Sequence, residues 1–289
     1  MKGNLKKVLI VACILALFMA TESLAMNVTQ TTNDTALITA LGGAGLTINS
    51  VSITNGDPNQ FGTYTGFTSP PVTLGNGVVM SNGYAVQTTA AFHSPGFTDT
   101  PNSNMGVTGT PEFNAYGPGK ITNFSAAYDV AALQVNFTLS APSKVGFDFV
   151  FGTVEYPQFV NSFTDAFIAF LDGTTNQIVF DASNNPVSVG NSFASALTTA
   201  DTNTAFSDPH GLVKLQTFTG VLAAGSHSIL FEVGDVNDHV LDSAVFISDF
   251  HAGEGQTGTG TGTVPEPATL ILLGLGLAGL STLRKKIKG

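Results

Sequence analysis

The sequence predicts an all-β fold: a jelly-roll-like β-sandwich with one short N-terminal helix, preceded by a signal peptide and followed by a hydrophobic helix. Three observations lead there. Charged residues are only 10% of the 289, with 32 Gly and no Trp, too few Glu, Lys and Arg for a helix-rich enzyme. Apolar and polar residues alternate with period two in several stretches, the pattern of half-buried strands. Turn-forming pairs separate those stretches: Asn55-Gly56, Asn76-Gly77, Asn82-Gly83, Asp172-Gly173 and Asn184-Asn185-Pro186.

Residues 1–25 read as a secretory leader. Lys2, Lys6 and Lys7 precede the apolar run Val8 to Ala20, and Ser23-Leu24-Ala25 places small residues ahead of a cut between Ala25 and Met26. The run is too short to span a bilayer comfortably. Cys13, the sole cysteine, lies inside it, so the processed chain has no thiol and no disulfide.

The body, residues 26–252, then reads in order. Asp34 is placed to cap a helix over DTALITAL, Asp34 to Leu41. Strands come next at Leu46-Thr47-Ile48 and Val51-Ser52-Ile53. The stretch His93 to Gly119 is rich in Gly, Pro, Asn and Thr and reads as a long loop. Leu133, Val135, Phe137 and Leu139 alternate with polar residues, as do Val145, Phe147, Phe149 and Phe151, and Ile229, Phe231 and Val233. No internal repeat divides this body. Between Met26 and Thr263 there are 18 Asp and Glu against Lys120, Lys144 and Lys214, a net charge of −15. Such a surface repels phosphate backbones, which excludes nucleic acid as a partner, and is compatible with divalent cations.

Residues 253–263 form a Gly/Thr linker that uncouples the C-terminal segment from the domain. The apolar run over 268–283 has 16 residues, roughly 24 Å as a helix, and shows no polar face. Arg284, Lys285, Lys286 and Lys288 then favour the cytoplasmic side. Residues 264–289, entering through Val264-Pro265-Glu266-Pro267 and closing on a basic end, resemble the PEP-CTERM sorting signal. That resemblance implies recognition by an exosortase-type membrane protease after export by the secretion machinery, with the C-terminal helix as a transient inner-membrane stop. A permanent single-span anchor would differ only in whether the tail survives.

The body resembles the choice-of-anchor L domain through NVTQTTNDTALITALGGAGLTINSVSITNG, GVVMSNGYA, AAYDVAALQVNFTL, FDFVFGTVEYPQFVNSFTDAFIAFLDG and DSAVFISDF, in that order. The likeness implies an exported bacterial surface domain without a catalytic role to transfer. It departs at one position: the family usually carries two adjacent acids before Tyr-Pro, and Val154 stands here ahead of Glu155.

Two acidic groups are the candidates for chemistry. Glu155 is followed by Asn161 and Asp165, and Asp235, Asp238 and Asp242 lie in GDVNDHVLDSAVF. Each falls where a strand meets a loop. If the closing strands lie beside the central ones, Glu155, Asp165, Asp235 and Asp242 converge, and a structural calcium ion is the counter-charge that oxygen ligands would select. The plainer alternative makes them solvated loop residues or turn caps. No EF-hand pattern is present. His93, His210, His227, His239 and His251 are scattered without zinc spacing, and His239 is expected to face solvent. There is no G-x-S-x-G elbow.

These features point to a non-enzymatic envelope or matrix protein of a bacterium, displayed or released for adhesion or biofilm-matrix binding, with extracellular polysaccharide or a surface protein as partner. The alternative is a secreted carbohydrate-active hydrolase using Glu155 and Asp165 as its two carboxyls. The sequons at Asn27, Asn33, Asn123 and Asn136 obey a eukaryotic rule and carry no weight in a bacterial sequence.

Overall fold

A computed structural model describes residues 25–67, 73–95, 101–160, 162–191 and 202–253. The leader before Ala25, Asn161, the linker after Gly253, the sorting motif and the 268–283 run lie outside the described residues. Among the described residues are twelve strands, two short α-helices and three short 3-10 helices.

Two sheets share the strands. One runs β1 (Asn27–Gln30), β4 (Phe61–Phe67), β5 (Gly75–Ser81), β12 (Ser243–Ala252), β7 (Val145–Thr153), β10 (Gly211–Phe218), with β2 (Gly42–Ala44) added against β12. The other runs β3 (Thr47–Asn55), β6 (Ala127–Leu139), β11 (Gly225–Val236), β8 (Ala166–Leu171), β9 (Val187–Ser188). All pairings are antiparallel except β2 with β12, which is parallel. The alternating stretches of the sequence are the strands β6, β7 and β11.

Period two explains the core. Phe147, Phe149 and Phe151 of β7 meet Leu133, Val135 and Phe137 of β6 and Ile229, Phe231 and Val233 of β11 in one cluster between the sheets. The outer faces are covered as well. Val150 of β7 and Ala244 and Phe246 of β12 pack with Tyr64, Phe67, Phe206 and Leu212. Ala132, Ile168 and Phe170 pack with Phe113 and Ile121 from the segment between β5 and β6. Strand β8, AFIAFL, is therefore buried at all six residues and does not alternate, because neither of its faces meets water. Met26, the first residue after the expected cut, is itself buried.

The N-terminal helix, α1 (Asp34–Leu41), lies where the sequence places it, with Leu37 and Leu41 buried. Its cap is one residue earlier: Asn33 Oδ1 accepts from Ala36 N at 2.9 Å, and Asp34 instead accepts from Val51 N of β3 at 2.6 Å. Asn33→Ala should lower stability by about 1 kcal/mol, read as an earlier urea midpoint at unchanged slope.

Two local expectations differ from the fold. The expected loop 93–119 contains α2 (Pro111–Tyr116), capped by Thr110 Oγ1 accepting from Phe113 N at 3.1 Å, with Pro at the first helical position. Asn76-Gly77 is not a turn but lies inside β5. Gly77 is needed for close approach, since a Cβ there would collide with the Ile247 carbonyl of β12. Asp172 and Gly173 do form the expected turn, both with positive φ.

Candidate functional site

The two acidic groups meet at one end of the sandwich, where chain leaving β7 and entering β8 lies beside the end of β11 and the start of β12. Glu155 comes after β7 and Asp165 precedes β8; Asp235 is the penultimate residue of β11 and Asp242 stands just before β12. All four are buried.

Asn82, after β5, knits them together. Its Nδ2 donates to Asp165 Oδ2 at 2.8 Å and also to Asp235 Oδ1, while its Oδ1 accepts from Ser243 N at 2.6 Å. Asp165 is further held by Ser243 Oγ at 2.8 Å and Val236 N at 3.2 Å. Glu155 Oε2 accepts from Asp165 N at 3.3 Å. Asp242 accepts from Ser103 N at 2.7 Å and from Ser103 Oγ at 2.9 Å. The neighbouring Gly83 admits that carboxylate, because a Cβ there would fall on it. Two oxygens are left over: Glu155 Oε1 and Asp235 Oδ2 are buried without a hydrogen-bond partner.

Burial and mutual repulsion act in the same direction here. Burial pushes the Asp235 carboxyl well above the usual range, and Asp165, Asp242, Glu155 and Asp129 push it further. Glu155 is raised by burial, then by Asp165 and Asp238. Asp165 is raised by burial to about 7, although bonds from Ser243, Val236 and Asn82 pull it down. Asp242 is likewise raised by burial to about 7, against the pull of Ser103. Asp238, half-buried, is raised by burial too. Bringing these carboxyls together costs free energy unless protons or a cation offset it.

The sequence reading missed two participants. Asn82 looked like half of a turn. Asp129 lies in β6 where two residues, Asp129 and Val130, stand opposite one, Gly234 of β11, between the pairs Tyr128 with Asp235 and Ala131 with Val233. The irregularity coincides with positive φ at Asp129 and re-aims its side chain. Asp129 Oδ1 accepts from Val107 N at 2.7 Å, and Oδ2 from Met105 N at 3.1 Å. His239, expected in solvent, instead has Nδ1 2.9 Å from Asp129 Oδ2, and its side chain is 32% exposed beside Tyr128. The only visible hint was an acid opening an otherwise apolar run, Asp129-Val130-Ala131-Ala132-Leu133.

The site is thus a buried polar plug at the end of a two-sheet sandwich, with His239 as its half-open side. The fold defines the class: an acidic, all-β, two-sheet domain. The family model of the choice-of-anchor L domain matches residues 25–250, and the chain belongs to that family. The PEP-CTERM protein-sorting motif matches residues 263–286, which makes this an exported bacterial surface protein processed by an exosortase. Where the family usually carries the first of two acids, Val154 is fully buried in the outer apolar cluster, so this chain keeps one carboxyl at that place. No curated protein matches the chain. Among solved structures it is similar to a non-crystalline cellulose specific carbohydrate-binding module, CBM28, with 13% identity and a TM-score of 0.27, covering 66% of this chain and 83% of that one.

Proposed function

We propose that the protein is a non-enzymatic binding domain of the bacterial envelope or extracellular matrix, displayed or released through exosortase processing and retained there by extracellular polysaccharide. The secretion machinery delivers it, and the 268–283 run holds it transiently in the inner membrane. The observation that carries this reading is the pairing of a choice-of-anchor L domain over 25–250 with a sorting motif over 263–286. Such a chain is built to be placed outside the cell and handed on.

The rival hydrolase reading is disfavoured by geometry. Its two carboxyls, Glu155 and Asp165, are both buried, and Asp165 is committed to four protein contacts counting its own backbone N–H. A glycosidic oxygen must reach at least one acid directly.

The mature chain, mixed with the extracellular polysaccharide of its own cells, is expected to co-sediment with it without releasing reducing ends. Failure to co-sediment rejects the polysaccharide-binding role. Release of reducing ends, abolished by Glu155→Gln, would establish the hydrolase instead.

A further inference from the structure

We propose that Asp129, Asp235 and His239 form a binding site for one divalent cation of the manganese or zinc type, which neutralises the buried acidic plug. This goes beyond the polysaccharide-binding role and does not depend on it.

One ligand atom from each of the three residues lies within 4.8 Å of those of the other two. They come from two separated stretches that the fold must bring together: the irregular start of β6, and the end of β11 with the loop that follows it. Asp129 and Asp235 are buried, whereas His239 is partly exposed and supplies a route from solvent.

Proximity of acids alone would not make a site. The independent observation is what the protein leaves unpaired. Asp235 is 1% exposed, and its Oδ2 has no hydrogen-bond partner, although Asn82 engages the other oxygen. Glu155, an electrostatic neighbour of Asp235, is fully buried and has the same defect at Oε1. A buried carboxylate oxygen without a donor costs roughly 1–3 kcal/mol or more, so native folds rarely keep one. Two such oxygens in one acidic plug, which receives no lysine or arginine ion pair among the described residues, call for a positive ligand.

The donor set chooses among cations. Calcium takes six to eight oxygens. Here an imidazole nitrogen stands with two carboxylates, a mixture that suits manganese or zinc better than calcium. The oxygen-only set Glu155, Asp165, Asp235 and Asp242 expected from the sequence therefore shifts. Asp235 remains, Asp129 and His239 enter, and Glu155, Asp165 and Asp242 become the negative surroundings. The Nδ1 contact from His239 to Asp129 is compatible with either state. With Nδ1 protonated it is a hydrogen bond; if that nitrogen turns to the ion, the proton leaves and the metal takes its place.

The test uses the full chain in mild detergent, stripped with chelator and dialysed against manganese, zinc or calcium, with bound metal counted and melting followed. Wild type should take up one equivalent of manganese or zinc, and its melting midpoint should rise by about 5 °C when free metal exceeds the dissociation constant about a hundredfold. Asp235→Asn keeps the shape and the Asn82 contact and should abolish both responses. His239→Ala, at a partly exposed position, should weaken uptake at least tenfold and keeps the test decisive should Asp235→Asn fail to fold. Three results overturn the proposal: no uptake of manganese or zinc at millimolar concentration, uptake undiminished in either variant, or calcium binding alone that ignores His239.

Discussion

Phe231→Ala is expected to destabilise the domain by about 3–5 kcal/mol, enough to remove much of the stability of an ordinary fold. Phe231 sits in the middle of β11, with Leu133 opposite on β6 and Ala169 opposite on β8. It is fully buried, and its ring meets Phe147 of the opposite sheet edge-on at 5.0 Å. Phe167 of β8 lies 6.2 Å away and nearly parallel, at 11°. The ring is thus a wedge joining both neighbours in its own sheet to the facing one. Truncation removes apolar burial and leaves a cavity that two sheets, fixed by their ladders, cannot close. In urea, the midpoint should fall at an unchanged slope, which separates lost packing from a change in compactness. A loss under 1 kcal/mol would mean that the two sheets are not packed across this point.

The same ladders explain what the sequence could disclose. In β6, β7 and β11 one face points at the opposite sheet, so apolar residues recur every second position and the strands are legible. Strand β8 shows no such alternation because α2 and Ile121 cover its outer face, and coverage from a distant segment leaves no mark on AFIAFL itself. Helix α2 was hidden by composition: Thr110-Pro111-Glu112 is a sound N-terminal signal, but it sits among turn residues. At the site, the sequence made convergence of Glu155, Asp165, Asp235 and Asp242 conditional on the closing strands lying beside the central ones, and it is the pairing of β12 with β7 and of β11 with β8 that supplies this. Asp129 was not foreseeable. An irregularity in β6 decides where its side chain points, and such an insertion is a property of the pairing between two strands rather than of either alone. Asn82 was hidden for a related reason, since Asn-Gly is so strong a turn signal that its amide was not considered as a donor.

Glu232 provides the second large effect, and it lies apart from the acidic plug. It occupies the outer face of the five-stranded sheet, where its register partners are Ala132 on β6 and Ile168 on β8. Phe113 and Ile121 pack over the same face, and Glu232 is fully buried. Neither of its oxygens has a well-aligned hydrogen-bond partner. Burial raises its carboxyl to about 7; Thr110 pulls it down slightly and Glu112 pushes it up. The sign is set by which state holds the proton. Below about pH 4.5 the group is protonated in the folded and the unfolded chain and contributes nothing to the balance. As the pH rises towards 7 the unfolded chain releases its proton while the folded one retains it, so stability falls. Above about 7 the loss is complete, at about 3 kcal/mol. Glu232→Gln keeps the shape and removes the titration. The variant should match wild type near pH 4 and exceed it by up to about 3 kcal/mol at pH 8, measured by urea unfolding across that range. Asp165 and Asp242, both raised to about 7, add slopes of the same sign in both proteins, so the difference between the two curves isolates Glu232. Curves that run parallel from pH 4 to 8 would show that this carboxyl is not sealed beneath α2.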